Sequence, residues 1–273
     1  SFYNLGSDKV SVAASFFGLA EFAKQVGGDN IEVVTIIPAG TEPHEYEPTP
    51  KDVKAINSAR LFLYQGGGFD RWAEQAVKGI RLNGVVAIPM TKNFSLKNNN
   101  PHIWLDPILA QKEVEIIRDA LINIDPQNTV LYARNSARYI DSLIALDKKY
   151  KNTLADCALK EIVAPHSAFQ YLADRYGLSL IAIATSPEQE LSFRRMAEII
   201  QLVRVKEIKY IFTEPLSGSR ISDTIAQEVG ANVLELNPIE GLTGADIALG
   251  KNYLFLMEDN LKNLKTALSC NGR

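Results

Sequence analysis

Residues 125–154 read DPQNTVLYARNSARYIDSLIALDKKYKNTL, and this stretch decides the fold. After Pro126 it contains neither glycine nor proline, and Val130, Ala133, Ala137, Ile140 and Ile144 recur along one face at helical spacing. The pattern predicts one uninterrupted helix of about 28 residues, ~42 Å long at ~1.5 Å per residue. That is the dimension of a whole domain, so the segment is expected to be a rigid connector between two bodies.

Outward from it, strand-like and helix-like segments alternate, the signature of α/β architecture with parallel sheets. Ahead of the connector, strands are expected at Lys9–Ser15, Ile31–Ile37, Arg60–Gln65 and Val85–Ile88. Helices are expected after the first strand to Val26, from Thr49-Pro50-Lys51-Asp52, from Asp70, and over Pro107–Ile124. The Thr-Pro-x-Asp start supplies an N-cap, a proline at the first helical position and an acid at the third. Behind the connector, strands fall at Ile162–Ala164, Leu178–Ala184, Ile208–Thr213 and Val233–Leu236. Helices fall at Ser167–Tyr176, Leu191–Val205, Ser219–Val229 and, as one long final helix, Ala245–Leu268. The expected architecture is an N-terminal α/β lobe over residues 1–124, a connecting helix over 125–156 and a C-terminal α/β lobe over 157–273. Each lobe is expected to hold a roughly four-stranded parallel sheet flanked by helices.

Composition narrows the function. The chain has 273 residues, 46% of them hydrophobic and 22% charged, which is ordinary for a globular protein with a sizeable core. A net charge of -3 speaks against a nucleic-acid partner, because such domains carry a basic excess. No apolar run approaches the ~20 residues needed to span a membrane. The chain starts at Ser1 rather than Met, which fits a processed product whose leader has been removed. Cys157 and Cys270 have no CxxC partner. One long-range disulfide in an oxidising compartment and two free core thiols are both open readings.

The chain's 3 histidines each follow a proline: Pro43-His44, Pro101-His102 and Pro165-His166. Proline removes a backbone donor and fixes φ, stiffening the approach to the next side chain. Three imidazoles presented this way suggest one metal site gathered from separate loops, since zinc takes about four nitrogen, sulfur or oxygen ligands. Ligands of open α/β sheets sit beyond the carboxyl ends of the strands. His166 follows its strand at once, His44 lies in the loop after the second strand, and Glu240 lies shortly past the last. Glu42, Glu45 and Glu47 surround His44 with negative potential that draws cations in, or form a solvated loop. Ile103, Trp104 and Leu105 need apolar cover, which places His102 at the edge of a core. Asp106, before Pro107, reads as a helix N-cap and also fits an acceptor that orients an imidazole. Gly66-Gly67-Gly68 lacks the GxGxxG spacing of a dinucleotide site.

The segments PHEYEPTPKD, PHIWLDP, PHSAFQYLADRYGL, FTEPLSGSRISDTIAQEVGA and LNPIEGLT together resemble the metal-binding receptors of zinc and manganese ABC importers. The similarity covers essentially the whole chain and keeps the motif order. It implies two α/β lobes joined by one long helix with the metal held between them. It also implies an extracytoplasmic location, free in the periplasm or as a lipid-anchored cell-surface lipoprotein. The partner it implies is the membrane permease of a metal ABC importer, served by a monomer.

Carried over position by position, the resemblance assigns His44, His102 and His166 as metal ligands. Manganese members usually carry a carboxylate at the third position, so His166 favours Zn2+ as the cargo, with Mn2+ the alternative. At the fourth position many members place an aspartate where this chain has Asn237. Glu240 matches the branch carrying LNPxEGLT and is the assigned fourth ligand, with Asn237 shaping the loop and Glu214 in reserve. Zn2+ with three neutral imidazoles and one carboxylate leaves a net charge of about +1, milder than the bare ion in a buried site. The histidine-rich loop of many zinc members is absent from Thr91–Asn100. No enzymatic activity is expected. A zinc hydrolase with Glu240 or Glu214 as base is the rival from another class, and the absence of HExxH weighs against it.

Overall fold

The computed structural model describes residues 9–79, 84–184, 192–218 and 220–270. The chain divides into two units, Ser1–Pro101 with Ala110–Ser142 and His102–Leu109 with Leu143–Arg273.

In the first unit, β1 (Val10–Ala14), β2 (Ile31–Thr35), β3 (Leu61–Tyr64) and β4 (Val86–Pro89) form one parallel sheet in the order β2-β1-β3-β4. Val12 lies opposite Val33 on one side and Leu61 on the other. All four residues of β3, Leu-Phe-Leu-Tyr, are buried. A parallel strand covered on both faces needs an uninterrupted apolar run of this kind. The crossovers carry α1 (Phe17–Gly27), α2 (Pro50–Ser58) and α3 (Arg71–Gly79). The expected capping box starts α2: Thr49 N donates to Asp52 Oδ2 at 2.7 Å, and Asp52 N returns to Thr49 Oγ1. After β3 the backbone turns through Gly66 and Gly67 at φ +73° and +62°. A Cβ on Gly66 would lie 2.9 Å from Thr91 Oγ1, so both conformation and space require glycine there. Asp70 closes this loop by accepting from Gln65 N and Gly66 N at 2.8 Å each.

The two helices expected around Asp125 are present as α4 (Pro107–Ile124) and α5 (Thr129–Leu154), separated by a 3-10 turn at Pro126–Asn128. The face predicted for α5 is wrong. Val130 is 81% exposed, and Ala133, Ala137 and Ile144 also face solvent. The buried face is Tyr132, Asn135, Ser136, Tyr139, Leu143, Leu146, Asp147, Tyr150 and Leu154. Tyrosines bury far more area than alanine, and two of them bond their hydroxyls: Tyr132 to Asp125 Oδ2, Tyr150 to the Met257 carbonyl at 2.6 Å. Within the first unit, Tyr139 packs against Phe22 of α1, and Asn135 Nδ2 donates to the Val26 carbonyl at 3.0 Å.

In the second unit, β5 (Glu161–Ala164) pairs with β6 (Ser179–Ala182), and β7 (Tyr210–Thr213) with β8 (Asn232–Glu235), all parallel. β5 and β7 pack side by side, so the four strands run β6-β5-β7-β8 as two hydrogen-bonded pairs. α6 (Gln170–Arg175), α7 (Phe193–Val205) and α8 (Arg220–Val229) cover them, around a core of Val163, Ile199, Val203, Ile211 and Ile225. The expected helix starts at Leu191 and Ser219 lie outside the described residues. The helix expected from Ser167 begins as a 3-10 turn before α6.

The single final helix expected over Ala245–Leu268 is two, α9 (Gly244–Ala248) and α10 (Tyr253–Ala267). Gly250 at φ +62° ends the first, and Asn252 caps the second by accepting from Phe255 N at 2.9 Å. Cys157 and Cys270 form a disulfide that ties the chain beyond α5 to the end of α10. No described helix is long and apolar enough to cross a membrane.

Candidate metal centre

β5 ends at Ala164, and Pro165 leads straight into His166, whose backbone is extended at φ -139° before the 3-10 turn. The side chain is 1% exposed. Its Nδ1 lies 2.8 and 2.9 Å from the two carboxylate oxygens of Glu214, the residue after β7. Ser217 Oγ donates to Glu214 Oε2 at 3.1 Å. Burial opposes a charged imidazole, but Glu214 and then Glu240 outweigh it and push the His166 pKa up to about 10.

His102 precedes a 3-10 turn, Ile103–Leu105, whose three side chains are fully buried as the sequence requires. They anchor the segment in the second unit, although it precedes α4 and α5 in the chain. Tyr253 of α10 donates to the Trp104 carbonyl at 2.6 Å, and Trp104 Nε1 donates to the Pro238 carbonyl at 2.8 Å. The second of these bonds joins the His102 segment to the loop that carries Glu240. Asp106 caps α4, accepting from Ile108 N at 2.8 Å, and pairs with Arg175 at 2.5 Å.

The Glu240 loop is shaped by two asparagines. Asn260 of α10 clamps the backbone of Asn237, accepting from its N–H and donating to its carbonyl, each at 2.7 Å. Asn237 Oδ1 accepts from Ile239 N at 2.8 Å, holding Ile239 at φ +59°, a costly conformation for a β-branched residue. The turn delivers Glu240 Oε1 to within 3.0 Å of His102 Nε2 and 3.6 Å of His166 Nε2. The two imidazole Nε2 atoms are 3.4 Å apart. Two ring nitrogens and a carboxylate oxygen therefore converge in a buried pocket of the second unit, a donor set suited to a divalent cation.

His44 belongs to the first unit. Its loop turns through a Tyr46 N to Pro43 O bond of 3.2 Å, and its ring rests edge-on against Phe69 at 5.0 Å between centroids. Glu214, considered in sequence only as a reserve ligand, sits behind His166 on the side away from Glu240 Oε1. In the sequence nothing marks Asn260 as part of the site, and Trp104 is marked only as a core residue beside His102. The only available signal was the acid closing a strand in FTEP.

The model of the family described as "Zinc-uptake complex component A periplasmic" (ZnuA) matches residues 12–267. The chain is 36% identical over 281 residues to the high-affinity zinc uptake system protein ZnuA of Bacillus subtilis, covering 96% of this chain and 88% of that one. It is 36% identical over 284 residues to the zinc-binding lipoprotein AdcA of Streptococcus pneumoniae, covering 97% of this chain and spanning 57% of that protein's length. Among solved structures, the Zn(II)-bound ZnuA-like domain of Streptococcus pneumoniae AdcA matches with a TM-score of 0.85 and 38% identity, covering 95% of this chain and 99% of that chain. With the family model spanning nearly the whole chain, the protein belongs to the family of periplasmic zinc-uptake component A proteins.

Proposed function

We propose that the protein is an extracytoplasmic receptor that captures Zn2+ and delivers it to the permease of a metal ABC importer, with His44, His102, His166 and Glu240 as ligands. The observation that carries this reading is the convergence of His102, His166 and Glu240 in one buried pocket of the second unit. His44 supplies the fourth donor in this reading, on the strength of its matching Pro-His context and the family motif. Three imidazoles and one carboxylate suit zinc over manganese, which prefers oxygen donors. Four protein ligands leave no open position for a reacting water, which separates a receptor from a zinc hydrolase. The names of the relatives, a zinc uptake system protein and a zinc-binding lipoprotein, support both the cargo and an extracytoplasmic, lipid-anchored setting.

Competition titration against a chromophoric chelator tests the proposal. The protein is expected to bind Zn2+ more tightly than Mn2+, and His102→Ala and His166→Ala should each weaken zinc by about 100-fold or more, since each removes a direct ligand. Tighter binding of Mn2+, or a zinc-loaded structure with water as the fourth ligand, would overturn it.

A further inference from the structure

We propose that Glu214 is a positioning residue for the metal: it fixes which nitrogen of His166 faces the cation and supplies the second negative charge that neutralises the loaded site. The inference rests on the zinc-receptor reading above and assigns Glu214 a role distinct from that of a ligand.

Both oxygens of Glu214 lie within 2.9 Å of His166 Nδ1. An ionised carboxylate only accepts hydrogen bonds, so the nitrogen it faces must carry the proton. When Nε2 gives up its proton to the cation, the imidazole is thereby held as the Nδ1–H tautomer, with Nε2 facing Glu240 Oε1 and His102 Nε2. Metal-bound histidines commonly have their second nitrogen held in this way. Glu214 is 3% exposed and is itself steadied by Ser217 Oγ. Its place just beyond β7, beside the β5 strand that leads into His166, makes the pairing a product of strand adjacency.

The second carboxylate also changes the charge count. Zn2+ with three neutral imidazoles and Glu240 alone carries a net +1, and adding Glu214 brings the buried assembly to zero. A divalent cation is matched, whereas a monovalent ion leaves uncompensated negative charge in a buried place. Glu214 thus contributes to selecting the charge of the cargo as well as the orientation of a ligand.

The test uses the full chain labelled with 15N-histidine, which gives only 3 imidazoles to assign. In the zinc-loaded protein, His166 is expected to show a protonated Nδ1 and a metal-bound Nε2. Glu214→Gln keeps an oxygen acceptor but removes the charge, so it should retain the tautomer while zinc affinity falls by about 10- to 100-fold. Glu214→Leu should lose both, with mixed tautomers in the metal-free protein and weaker binding than Glu214→Gln. Affinity within about twofold of the parent in Glu214→Gln, against the ~10- to 100-fold typical of such partners, would overturn the inference. So would a zinc-bound His166 that ligates through Nδ1. Failure of the unaltered protein to bind zinc would instead sink the receptor reading itself.

Discussion

Glu240 reaches the two imidazoles because a neutral amide three residues earlier holds the turn. Asn237 gives its side-chain oxygen to Ile239 N, while its own backbone is clamped by Asn260. On the proposed receptor reading, removing Glu240 and removing its support should therefore differ in degree. Glu240→Ala is expected to weaken zinc by more than ~100-fold, and Asn237→Ala or Asn260→Ala by about 10-fold, in the range of outer supports. Chelator competition on the three variants reads this, and a larger loss in Asn237→Ala than in Glu240→Ala would reverse the assignment. A second buried acid has no part in the metal pocket. Glu113 of α4 is fully buried in the first unit, and burial pushes its pKa up from 4.5 to about 8, with Gln65 pulling weakly the other way. The folded state holds this proton more tightly than the unfolded chain does. Its stabilising contribution is therefore complete below pH ~4.5 and is lost as the pH rises towards ~8. Glu113→Gln should raise stability at pH 8 by up to the order of 4 kcal/mol and change it little at pH 4, as denaturant titrations at the two pH values would show. The meeting of His102 and His166 was legible because each carries its own proline. The pairing of Glu214 with His166 and the clamp by Asn260 were not, because their partners are 48 and 23 residues away and meet them only through strand adjacency and helix docking.

At the scale of elements, α5 separates what a pattern tells from what packing decides. Its length was legible from the absence of breakers, but its buried face was not. Small apolar residues at helical spacing marked one stripe, and the tyrosines on the opposite stripe won because each buries more surface, with the Tyr132 and Tyr150 hydroxyls satisfied. Tyr150 stacks on Tyr176 at 5.0 Å between centroids and bonds the Met257 carbonyl, whereas Ile144 is half exposed. Tyr150→Ala should accordingly cost about 3–5 kcal/mol, as for other large aromatics removed from a core. Ile144→Ala should stay within ~0.5 kcal/mol. Urea unfolding of the two variants decides it, and equal costs would restore the face read from the sequence. The last helix failed for a related reason. Gly250 and Asn252 are the ordinary C-terminal and N-terminal signals of two adjoining helices, and they sit inside one apolar repeat that masks them.

For the whole molecule, the division into two units gives zinc binding a location in the unfolding reaction. The chain's 2 tryptophans fall one in each unit, Trp72 in the first and Trp104 in the second. Trp104 lies beside His102 and bonds the Glu240 loop through Pro238, so it must remain; Trp72→Phe leaves it as the sole reporter of the second unit. The same unit is closed by the Cys157–Cys270 disulfide across 113 residues, which in the chain-entropy account constrains the unfolded state by about 5 kcal/mol. Reduction should therefore lower the midpoint reported by Trp104. Zinc acts on the folded side of the same equilibrium. A ligand that binds only the folded form stabilises it by ~2.7 kcal/mol at about 100 times its dissociation constant. Because His102, His166 and Glu240 all belong to the second unit, the Trp104 transition of Trp72→Phe is expected to move up with zinc and fall back on adding a chelator. Adding His166→Ala should abolish most of that shift at the same zinc concentration. A midpoint indifferent to zinc in the parent would mean that the pocket of two imidazoles and a carboxylate does not hold the ion.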